Sequence, residues 1–408
     1  MSATAATAED PARWRALFRI ALAQLLAMSL WFSASAVSPA LQAEWSLSAG
    51  ASAWLTLAVQ LGFVAGTLVS ALGNLSDVVP TRALIAACAW LAAACNAGLA
   101  LEARGAGSAI ALRFCTGFFL AGVYPPGMKL MASWFRRGRG VALGALIGAL
   151  TLGKAMPYLV NAVGSGRWRI NVLVVSALAV VGGLIVLLFV GDGPHAAPSA
   201  RLDVAQIAKV FRNRGVRLAD FGYFGHMWEL YAMWTWVPSF LRASFSARGG
   251  APALAELASF VVIGSGVVGC VLAGVLADRI GRTAVTSAAM AASGACCLGI
   301  GFLFHAPPAV LLVVAAIWGA TVIADSAQFS ACVTELSDPR YMGTALTVQT
   351  CIGFLLTMGS IELVPVLVSS VGWRWAFAAL APGPALGVLA MQRLRRLPEA
   401  AKIAQGLR

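Results

Sequence analysis

Long apolar runs alternate with short polar or basic stretches along the whole chain. A helix needs about 20 apolar residues to cross the hydrocarbon core of a bilayer, so each run is predicted to be one membrane-spanning helix. Twelve such runs occur, and we number them spans 1 to 12. They cover residues 17–41, 51–76, 83–103, 108–134, 140–163, 170–191, 216–242, 253–277, 284–304, 308–334, 341–369 and 373–391. The pattern predicts an all-α integral membrane protein.

The longest interruption lies in the middle of the chain. Residues 192–215 are polar and basic, and they include Pro194 and Pro198. Proline and charge at this density indicate a loop, so we interpret the segment as a cytoplasmic linker. It divides the chain into an N-terminal six-helix domain, residues 1–191, and a C-terminal six-helix domain, residues 216–408.

The two predicted domains repeat each other. Gly73 to Asp77 matches Gly274 to Asp278, Gly140 to Leu143 matches Gly343 to Leu346, and Trp168-Arg169 matches Trp373-Arg374, at offsets of 201, 203 and 205 residues. Nearly constant offsets in chain order indicate duplication of a six-helix unit. Because six spans return the chain to its starting side, the two bundles are predicted to be parallel repeats.

Composition excludes the main alternatives to a membrane protein. The chain is 60% hydrophobic and 11% charged, whereas a globular chain is about 45 to 50% apolar and about 25% charged. A soluble enzyme, a fibrous protein and a disordered chain are therefore excluded. The eight cysteines lie inside apolar spans without metal-ligand spacing, and no metal or cofactor site is predicted.

The net charge of +13 is explained by membrane orientation, so no nucleic-acid partner is expected. Of the 29 lysines and arginines, 20 lie in the loops of one side, six in the loops of the other side and three inside spans. Because cytoplasmic loops collect Lys and Arg, both termini are predicted to be cytoplasmic, in a bacterial inner (plasma) membrane. We call the side with 20 basic residues the basic side.

The loop between spans 8 and 9 carries a recognisable motif. Its sequence from Gly274 to Arg282 resembles the loop signature of the major facilitator superfamily at every key position, and Arg113 with Gly117 in span 4 is similar to that family's Arg-x-x-x-Gly pattern. The first-half copy, Gly73 to Arg82, is degraded, with Val78, Pro80 and Thr81 at positions where the pattern has Arg, Gly and Arg. The expected latch residues are Gly73, Asp77 and Arg82 in the first copy and Gly274, Asp278, Arg279, Gly281 and Arg282 in the second.

This resemblance implies a secondary transporter that works as a monomer by alternating access, in which two six-helix bundles rock about a central site. Glycine lets helices approach closely, and an Asp near a helix end can pair with the neighbouring helix, so the loop motif could latch one state. The alternative is a tight turn with positive-inside arginines. Span 4 and its exit, from Gly122 to Gly140, resemble the branches that carry nitrate and small organic anions. Spans 2 and 8 contain no Lys or Arg, which argues against nitrate itself.

Few charges lie inside the spans, and each is costly in a membrane, so each needs a partner, water or a function. Lys154 lies near the middle of span 5 on one polar stripe with Thr151 and Tyr158. An ammonium group at this depth suits an anionic substrate, although a permanent pair with an acidic residue would also explain it. The other expected substrate contacts lie in span 4: Arg113, Tyr124 and Lys129.

Acidic residues and a histidine in the second half suit proton coupling. His226 and Glu229 lie one turn apart in span 7 and could share a proton, since both can titrate near neutral pH. Asp325 in span 10 is a second candidate, and Glu362 in span 11 is a third. A structural hydrogen bond is the alternative for each. The nearby tryptophans of span 7 are interpreted as packing or interface residues, with a substrate cage as the alternative.

These features together predict a proton-coupled symporter of a small organic anion, with a small molecule, a coupling ion and lipid as its partners. An exporter of drugs or metabolites on the same fold is the first alternative, with Glu229 and Asp325 attracting cations. A non-transporting membrane sensor is the second. An enzyme is not expected, because the spans contain no catalytic arrangement of residues.

Overall fold

The computed structural model describes residues 12–135, 138–164, 167–195, 202–203, 206–338 and 340–408. All regular secondary structure within these residues is helical. Part of the predicted linker, including Pro198, lies outside the described residues, as do Arg136 and Arg137 in the span 4 exit.

The first half folds into helices at all six predicted spans. Span 1 comprises Ala12–Met28, Ser33–Ala36 and Ser38–Trp45; span 2 is Ala49–Leu72; span 3 is Thr81–Leu101; span 4 comprises Ala106–Leu120 and Tyr124–Trp134; span 5 is Arg139–Val163; and span 6 is Trp168–Phe189. A short helix, Leu75–Val78, lies in the loop between spans 2 and 3.

The second half begins with a short linker helix, Ile207–Arg212, and also has helices at its six predicted spans. Span 7 is Arg214–Ser246; span 8 comprises Pro252–Gly264 and Gly266–Ile280; span 9 is Arg282–Gly299 with a 3₁₀ turn at Ile300–Leu303; span 10 comprises Pro308–Ala324 and Ser326–Leu336; span 11 is Met342–Val371; and span 12 comprises Trp373–Ala376, a 3₁₀ turn at Phe377–Leu380 and Pro382–Arg395. A 3₁₀ segment, Pro398–Gly406, follows.

Ten helical stretches within the described residues are long and apolar enough to cross a membrane. The two remaining spans are span 1, whose longest piece has 17 residues, and span 7, which carries several charged residues along its 33. The protein is therefore an all-α, multi-pass membrane protein. The total of twelve crossings and the location of both termini stay predictions.

Spans 1, 4, 8 and 10 were expected to be continuous, and the structure corrects this: each is broken near its middle. Span 1 is unwound from Ser29 to Phe32. Span 4 breaks just before Pro125 and Pro126, which have no N–H for the helix ladder. At the break in span 8, the Ser265 hydroxyl donates to the Ala316 carbonyl of span 10 at 2.8 Å. Such breaks leave backbone polar groups for other partners.

The halves meet mainly where span 5 packs on span 8 and span 2 packs on span 11. On the basic side, Gly140, Gly144 and Gly148 of span 5 face span 8. A Cβ atom at Gly144 would lie only 2.9 Å from the Cys270 carbonyl oxygen, and one at Gly274 would lie 3.1 Å from the Gly140 carbonyl oxygen. The small residues therefore allow close helix approach, as is common between membrane helices.

Candidate functional site: a lysine in an aromatic cage between the halves

The Lys154 side chain lies in span 5 at the contact between the halves, with 7% of the residue exposed. Its ammonium donates to the Tyr231 hydroxyl at 2.6 Å. It also lies 4.6 Å from the ring centre of Trp31 and 4.8 Å from those of Tyr231 and Trp234. These distances allow cation–π attraction to all three rings. Spans 1, 5 and 7 therefore build a cage from both halves.

Within the described residues, Lys154 has no carboxylate within ion-pairing distance. A lysine carries three donors, and Tyr231 takes one of them. Aromatic faces offset only part of the cost of burying an ammonium group. The site therefore holds positive charge that an anion could neutralise.

Four buried polar atoms in spans 1, 2, 5 and 7 have no hydrogen-bond partner among the described residues. They are the indole nitrogens of Trp31 and Trp234, the Tyr158 hydroxyl and the Gln60 side-chain nitrogen. An unpaired buried donor is costly and calls for an explanation. Because three of these groups can only donate, they favour a ligand rich in acceptor oxygens. We call Trp31, Gln60, Lys154, Tyr158, Tyr231 and Trp234 the central site.

An aromatic wall continues the central site toward spans 2, 4 and 11. The ring of Phe63 lies 5.2 Å from that of Trp31 and 4.8 Å from that of Phe354, and it stacks on Tyr124 at 6.3 Å. Across the interface, the Thr357 hydroxyl donates to the side-chain amide oxygen of Gln60. Tyr124 therefore contacts this wall through Phe63, and its expected role as a substrate contact stays a prediction. Small movements of either half would change the shape of this wall.

Thr151 and Tyr158 flank Lys154 on span 5, and they differ in what they offer. The buried Thr151 hydroxyl donates to the Ile147 carbonyl of its own helix at 2.9 Å. The Thr151 hydroxyl proton is therefore already donated to the backbone of span 5. The Tyr158 hydroxyl remains the better candidate for a ligand contact.

The expected substrate role of Arg113 does not fit its surroundings. Its guanidinium is fully buried and bonds to the Leu30 carbonyl at 3.0 Å, to the Ser33 hydroxyl at 2.9 Å and to the Trp31 carbonyl. It also donates to the side-chain amide oxygen of Asn96 at 2.8 Å. These acceptors surround the break in span 1. Arg113 therefore stabilises unwound backbone and holds Trp31 at the cage.

The expected substrate role of Lys129 also does not fit. Its ammonium bonds to the carboxylate of Asp77 and, at 2.9 Å, to the Ser76 carbonyl. Both partners belong to the loop between spans 2 and 3, on the basic side. Lys129 therefore braces the first-half latch and lies outside the central site.

His226 pairs with Asp325 instead of the expected Glu229. The His226 Nδ1 atom lies 2.8 Å from an Asp325 carboxylate oxygen, and both side chains are 1% exposed. Asp325 lies at the break in span 10, so the pair links spans 7 and 10. A buried imidazole beside a carboxylate can exchange a proton with it.

Glu229 faces three donors in the second half. Its carboxylate accepts from Trp318 at 2.6 Å, from Ser293 at 2.8 Å and from the Cys297 thiol at 3.0 Å. These residues belong to spans 9 and 10. The expected sharing of a proton between His226 and Glu229 is therefore wrong in its geometry, and Glu229 joins three helices.

Glu362 and Asp220 complete the acidic residues of spans 7 and 11. Glu362 is half-buried, and one of its carboxylate oxygens has no partner among the described residues. The sequence reasoning missed Asp220, which is buried in span 7 and accepts from Gln349 of span 11 at 3.0 Å. Asp220 lies in the first turns of the predicted span 7, close to its polar end.

The two latch motifs make different contacts. In the second copy, Arg282 bonds to Glu335 of span 10 at 2.7 Å, and the Asp278 carboxylate lies against Gly140 in the first turn of span 5. An anion is stabilised at a helix N-terminus. Asp278 therefore reaches the other half. Gly281 has φ +94°, a conformation that favours glycine, and Arg279 is exposed.

The first copy makes its described contacts within the first half. Asp77 pairs with Lys129, and Arg82 donates to the Val190 carbonyl at 3.0 Å and lies 3.7 Å from Asp192. Gly73 ends span 2 beside the Leu75 side chain. The degraded first copy thus makes contacts that differ from those of the second copy, in which Asp278 reaches the other half.

A second contact between the halves lies on the side opposite the basic side. Arg242 of span 7 bonds to Glu256 of span 8 at 2.5 Å and donates to the Ala36 carbonyl of span 1 at 3.2 Å. Nearby, Glu44 accepts from Arg169 at 2.5 Å and from Trp168 at 2.8 Å. The hydrogen bond from Arg169 holds the pKa of Glu44 below its ordinary value. The central site is thus closed by contacts on both sides.

Sequence reasoning found Lys154 and missed most of its cage. Trp31, Tyr231 and Trp234 lie in aromatic-rich segments in which packing is the commoner role. Polar residues in other spans at about the depth of Lys154, such as Gln60 and Thr357, could have indicated further members of the site. Only the packing of five spans brings these residues together.

An all-helical membrane protein with a charged, donor-rich site between two sets of helices has the architecture of a secondary transporter. The family model of the Major Facilitator Superfamily matches residues 20–361. The chain belongs to this family, and it is a multi-pass membrane transporter of small molecules and not an enzyme.

Solved structures agree on the fold. The chain superposes on the nucleoside transporter NupG with a TM-score of 0.71 at 13% identity, covering 93% of this chain and 99% of that one. It superposes on the proton:xylose symporter XylE, bound to 6-bromo-6-deoxy-D-glucose, with a TM-score of 0.70 at 15% identity, covering 93% and 96%.

One curated relative is similar over part of the chain. The "Probable sulfoacetate transporter SauU" of Cupriavidus necator is 30% identical over an alignment of 192 positions, and the match covers 42% of this chain and 44% of the relative. The match therefore spans less than half of the relative's length.

Proposed function

We propose that this protein carries a small organic anion, a carboxylate or sulfonate, by alternating access through the central site. The observation that carries the proposal is the Lys154 ammonium, buried between the halves without a carboxylate partner among the described residues. The Cupriavidus relative, named as a probable sulfoacetate transporter, supports the same class of substrate. In this proposal the chain is a monomer of two six-span domains in a bacterial inner membrane, with its basic side toward the cytoplasm.

The chemistry of the central site suits such an anion. Carboxylate or sulfonate oxygens would accept from Lys154 and from the indole N–H groups of Trp31 and Trp234. Charge-assisted hydrogen bonds of this kind are about twice as strong as neutral ones. Because Trp31 and Trp234 belong to different halves, a bound anion would join them, and its release would let the halves part.

The first test compares two lysines by ligand-induced thermal stabilisation of the purified protein. Sulfoacetate, acetate, nitrate and the lipophilic cation tetraphenylphosphonium are the probes. We expect an organic anion to raise the Tm of the native protein and of Lys129→Ala, since a ligand bound only by the folded state stabilises it. Lys154→Ala should weaken anion binding at least about tenfold, because it removes a charged hydrogen-bond donor.

The control for folding is the Tm of Lys154→Ala without ligand, which should stay close to that of the native protein. Anion stabilisation that survives Lys154→Ala would refute the site. Stabilisation by tetraphenylphosphonium alone would refute the anion and favour the exporter of drugs or metabolites.

We further propose that the His226–Asp325 pair carries the coupling proton. Its burial and its 2.8 Å separation support this role, as does its position at the break in span 10. The three donors to Glu229 favour a permanently bound carboxylate there. His226 and Asp325 lie on two helices of the second half, so a movement of span 7 relative to span 10 would separate them and release the proton.

The coupling test uses two carboxylates in reconstituted vesicles. Asp325→Asn should abolish accumulation driven by a pH gradient while exchange of labelled anion for unlabelled anion continues, because exchange needs no net proton movement. Glu229→Gln is the matched control, and it should retain the pH-driven accumulation. If Glu229→Gln uncouples transport and Asp325→Asn does not, the proton is carried by Glu229.

A further inference from the structure

A groove of about 810 Å³ runs between spans 7 and 12 on the outside of the second half. It is separate from the central site, which lies between the halves. Its walls are mainly apolar, with Phe221, Leu386 and Leu389 at least half exposed. In a membrane protein such a surface faces lipid.

The groove has a charged end on the basic side. Arg214 and Arg217 of span 7 and Arg393 of span 12 line it there, and all three are exposed. Among the described residues none of the three has an ion-pair partner, and no acidic residue lines the groove. The nearest acidic residue along span 7, Asp220, is turned toward Gln349. The charged end therefore attracts anions.

The groove matches one leaflet in depth. From Arg214 to Trp228 it follows 15 residues of helix, a rise of about 21 Å. One leaflet of hydrocarbon is about 15 Å, half of the whole core. Within this length, Gly225 and Gly383 bring the backbones of spans 7 and 12 into contact. The arginines of the groove thus lie at the depth of the lipid headgroups, and its apolar wall lies at the depth of the acyl chains.

We propose that this groove binds an anionic phospholipid of the leaflet on the basic side. The headgroup phosphate lies among Arg214, Arg217 and Arg393, and an acyl chain lies along Phe221, Leu386 and Leu389. A free phosphate would use only the arginines, and a zwitterionic lipid would use mainly the apolar wall. The lipid would join spans 7 and 12, and span 7 also carries Tyr231 and Trp234 of the central site.

The test measures lipid binding to the purified, delipidated full chain by native mass spectrometry, with dioleoyl phosphatidylglycerol as the probe. Arg217→Gln/Arg393→Gln should lower its affinity about 30-fold, since each basic residue near an anionic lipid surface contributes about fivefold. Arg212→Gln/Arg396→Gln is the matched control, because it removes two exposed basic residues outside the groove and should leave affinity unchanged.

Two further probes separate the sources of the phosphate. Glycerol 3-phosphate, a headgroup without chains, and dioleoyl phosphatidylcholine should both bind far more weakly than phosphatidylglycerol. The proposal would be overturned if both double variants lost the same affinity for phosphatidylglycerol. It would also be overturned if phosphatidylcholine bound the native protein as tightly as phosphatidylglycerol. Anion stabilisation through Lys154 should persist in Arg217→Gln/Arg393→Gln, so failure here is distinguishable from failure of the proposed function.

Discussion

The guanidinium of Arg113 supplies hydrogen bonds that an unbroken span 1 would have made within its own backbone. The Trp31 carbonyl accepts from Arg113, and the Leu30 carbonyl accepts from Arg113 as well as from Ser33, and such groups are costly in a membrane unless they find partners. The same contacts position the Trp31 ring against Lys154. One arginine therefore couples backbone support to the shape of the site.

Replacing Arg113 by lysine tests this role. Arg113→Lys keeps the charge but loses the planar set of donors, so we expect destabilisation on the order of 3 kcal/mol from at least one lost charged hydrogen bond and an unsatisfied carbonyl. The measurement is thermal unfolding in detergent. Arg104→Lys, at an exposed loop position, should leave the Tm unchanged. Equal Tm values for both variants would contradict the structural role.

The intramembrane lysines show where residue-level reasoning reached its limit. The sequence places Lys129 and Lys154 inside spans, where a charged side chain is costly, and from the sequence alone both were expected to contact substrate. Their different roles depend on Asp77 in one case and on three aromatic rings in the other. None of these partners is near its lysine in the chain.

At the scale of elements, the close contact of spans 5 and 8 depends on the glycines of span 5. Gly144 faces the Cys270 carbonyl, and Gly148 faces Val267. The sequence places these glycines four residues apart on one helix face. It does not say which of the other spans they face.

Gly144→Val tests the contact with a cysteine already present. The added side chain overlaps the span 8 backbone, and overpacking costs about 1 to 3 kcal/mol, so the packed arrangement should become about 5- to 150-fold less favoured. Cys270, which is buried beside this contact, should then react faster with N-ethylmaleimide, as measured by mass spectrometry of its peptide.

Gly299→Val is the control, since a Cβ at Gly299 would meet nothing within 4 Å. It should leave the labelling of Cys270 unchanged. Unchanged labelling in Gly144→Val would mean that spans 5 and 8 tolerate the larger side chain, and the close contact would then not depend on glycine.

The helix breaks were only partly predictable. Pro125 and Pro126 mark the break in span 4 in the sequence itself. The breaks in spans 1, 8 and 10 depend on partners from other spans, such as Arg113 for span 1 and the Ala316 carbonyl for Ser265. Hydrophobic length alone predicts a crossing, and it cannot show whether the helix is continuous.

At the scale of the whole molecule, the duplicated latch motifs have become unequal. Asp278 reaches the first turn of span 5 in the other half, whereas Asp77 pairs with Lys129 in its own half. The asymmetry follows the sequence, because the second copy keeps every key position and the first does not. We therefore expect the second copy to stabilise the contact between the halves on the basic side.

Asp278→Asn tests this expectation by hydrogen exchange. A carboxylate at a helix N-terminus contributes about 0.3 to 1 kcal/mol, so its loss should speed amide exchange in the first turn of span 5 about two- to fivefold. Asp77→Asn, the same motif position in the first half, should leave that turn unchanged. Faster exchange there in both variants would indicate a general loosening instead of a contact through Asp278.

The sequence by itself determined the all-helical membrane class, the positions of the helices, the internal repeat and the family, because hydrophobic length, charge placement and a contiguous loop motif are local properties of the chain. It also placed Lys154 near mid-membrane. Only the tertiary structure decided that Lys154 faces aromatic rings, that Lys129 and Arg113 serve backbone and loop, and that His226 pairs with Asp325. These outcomes depend on which helices pack together, and the energy of a buried charge depends on the partners that packing brings to it.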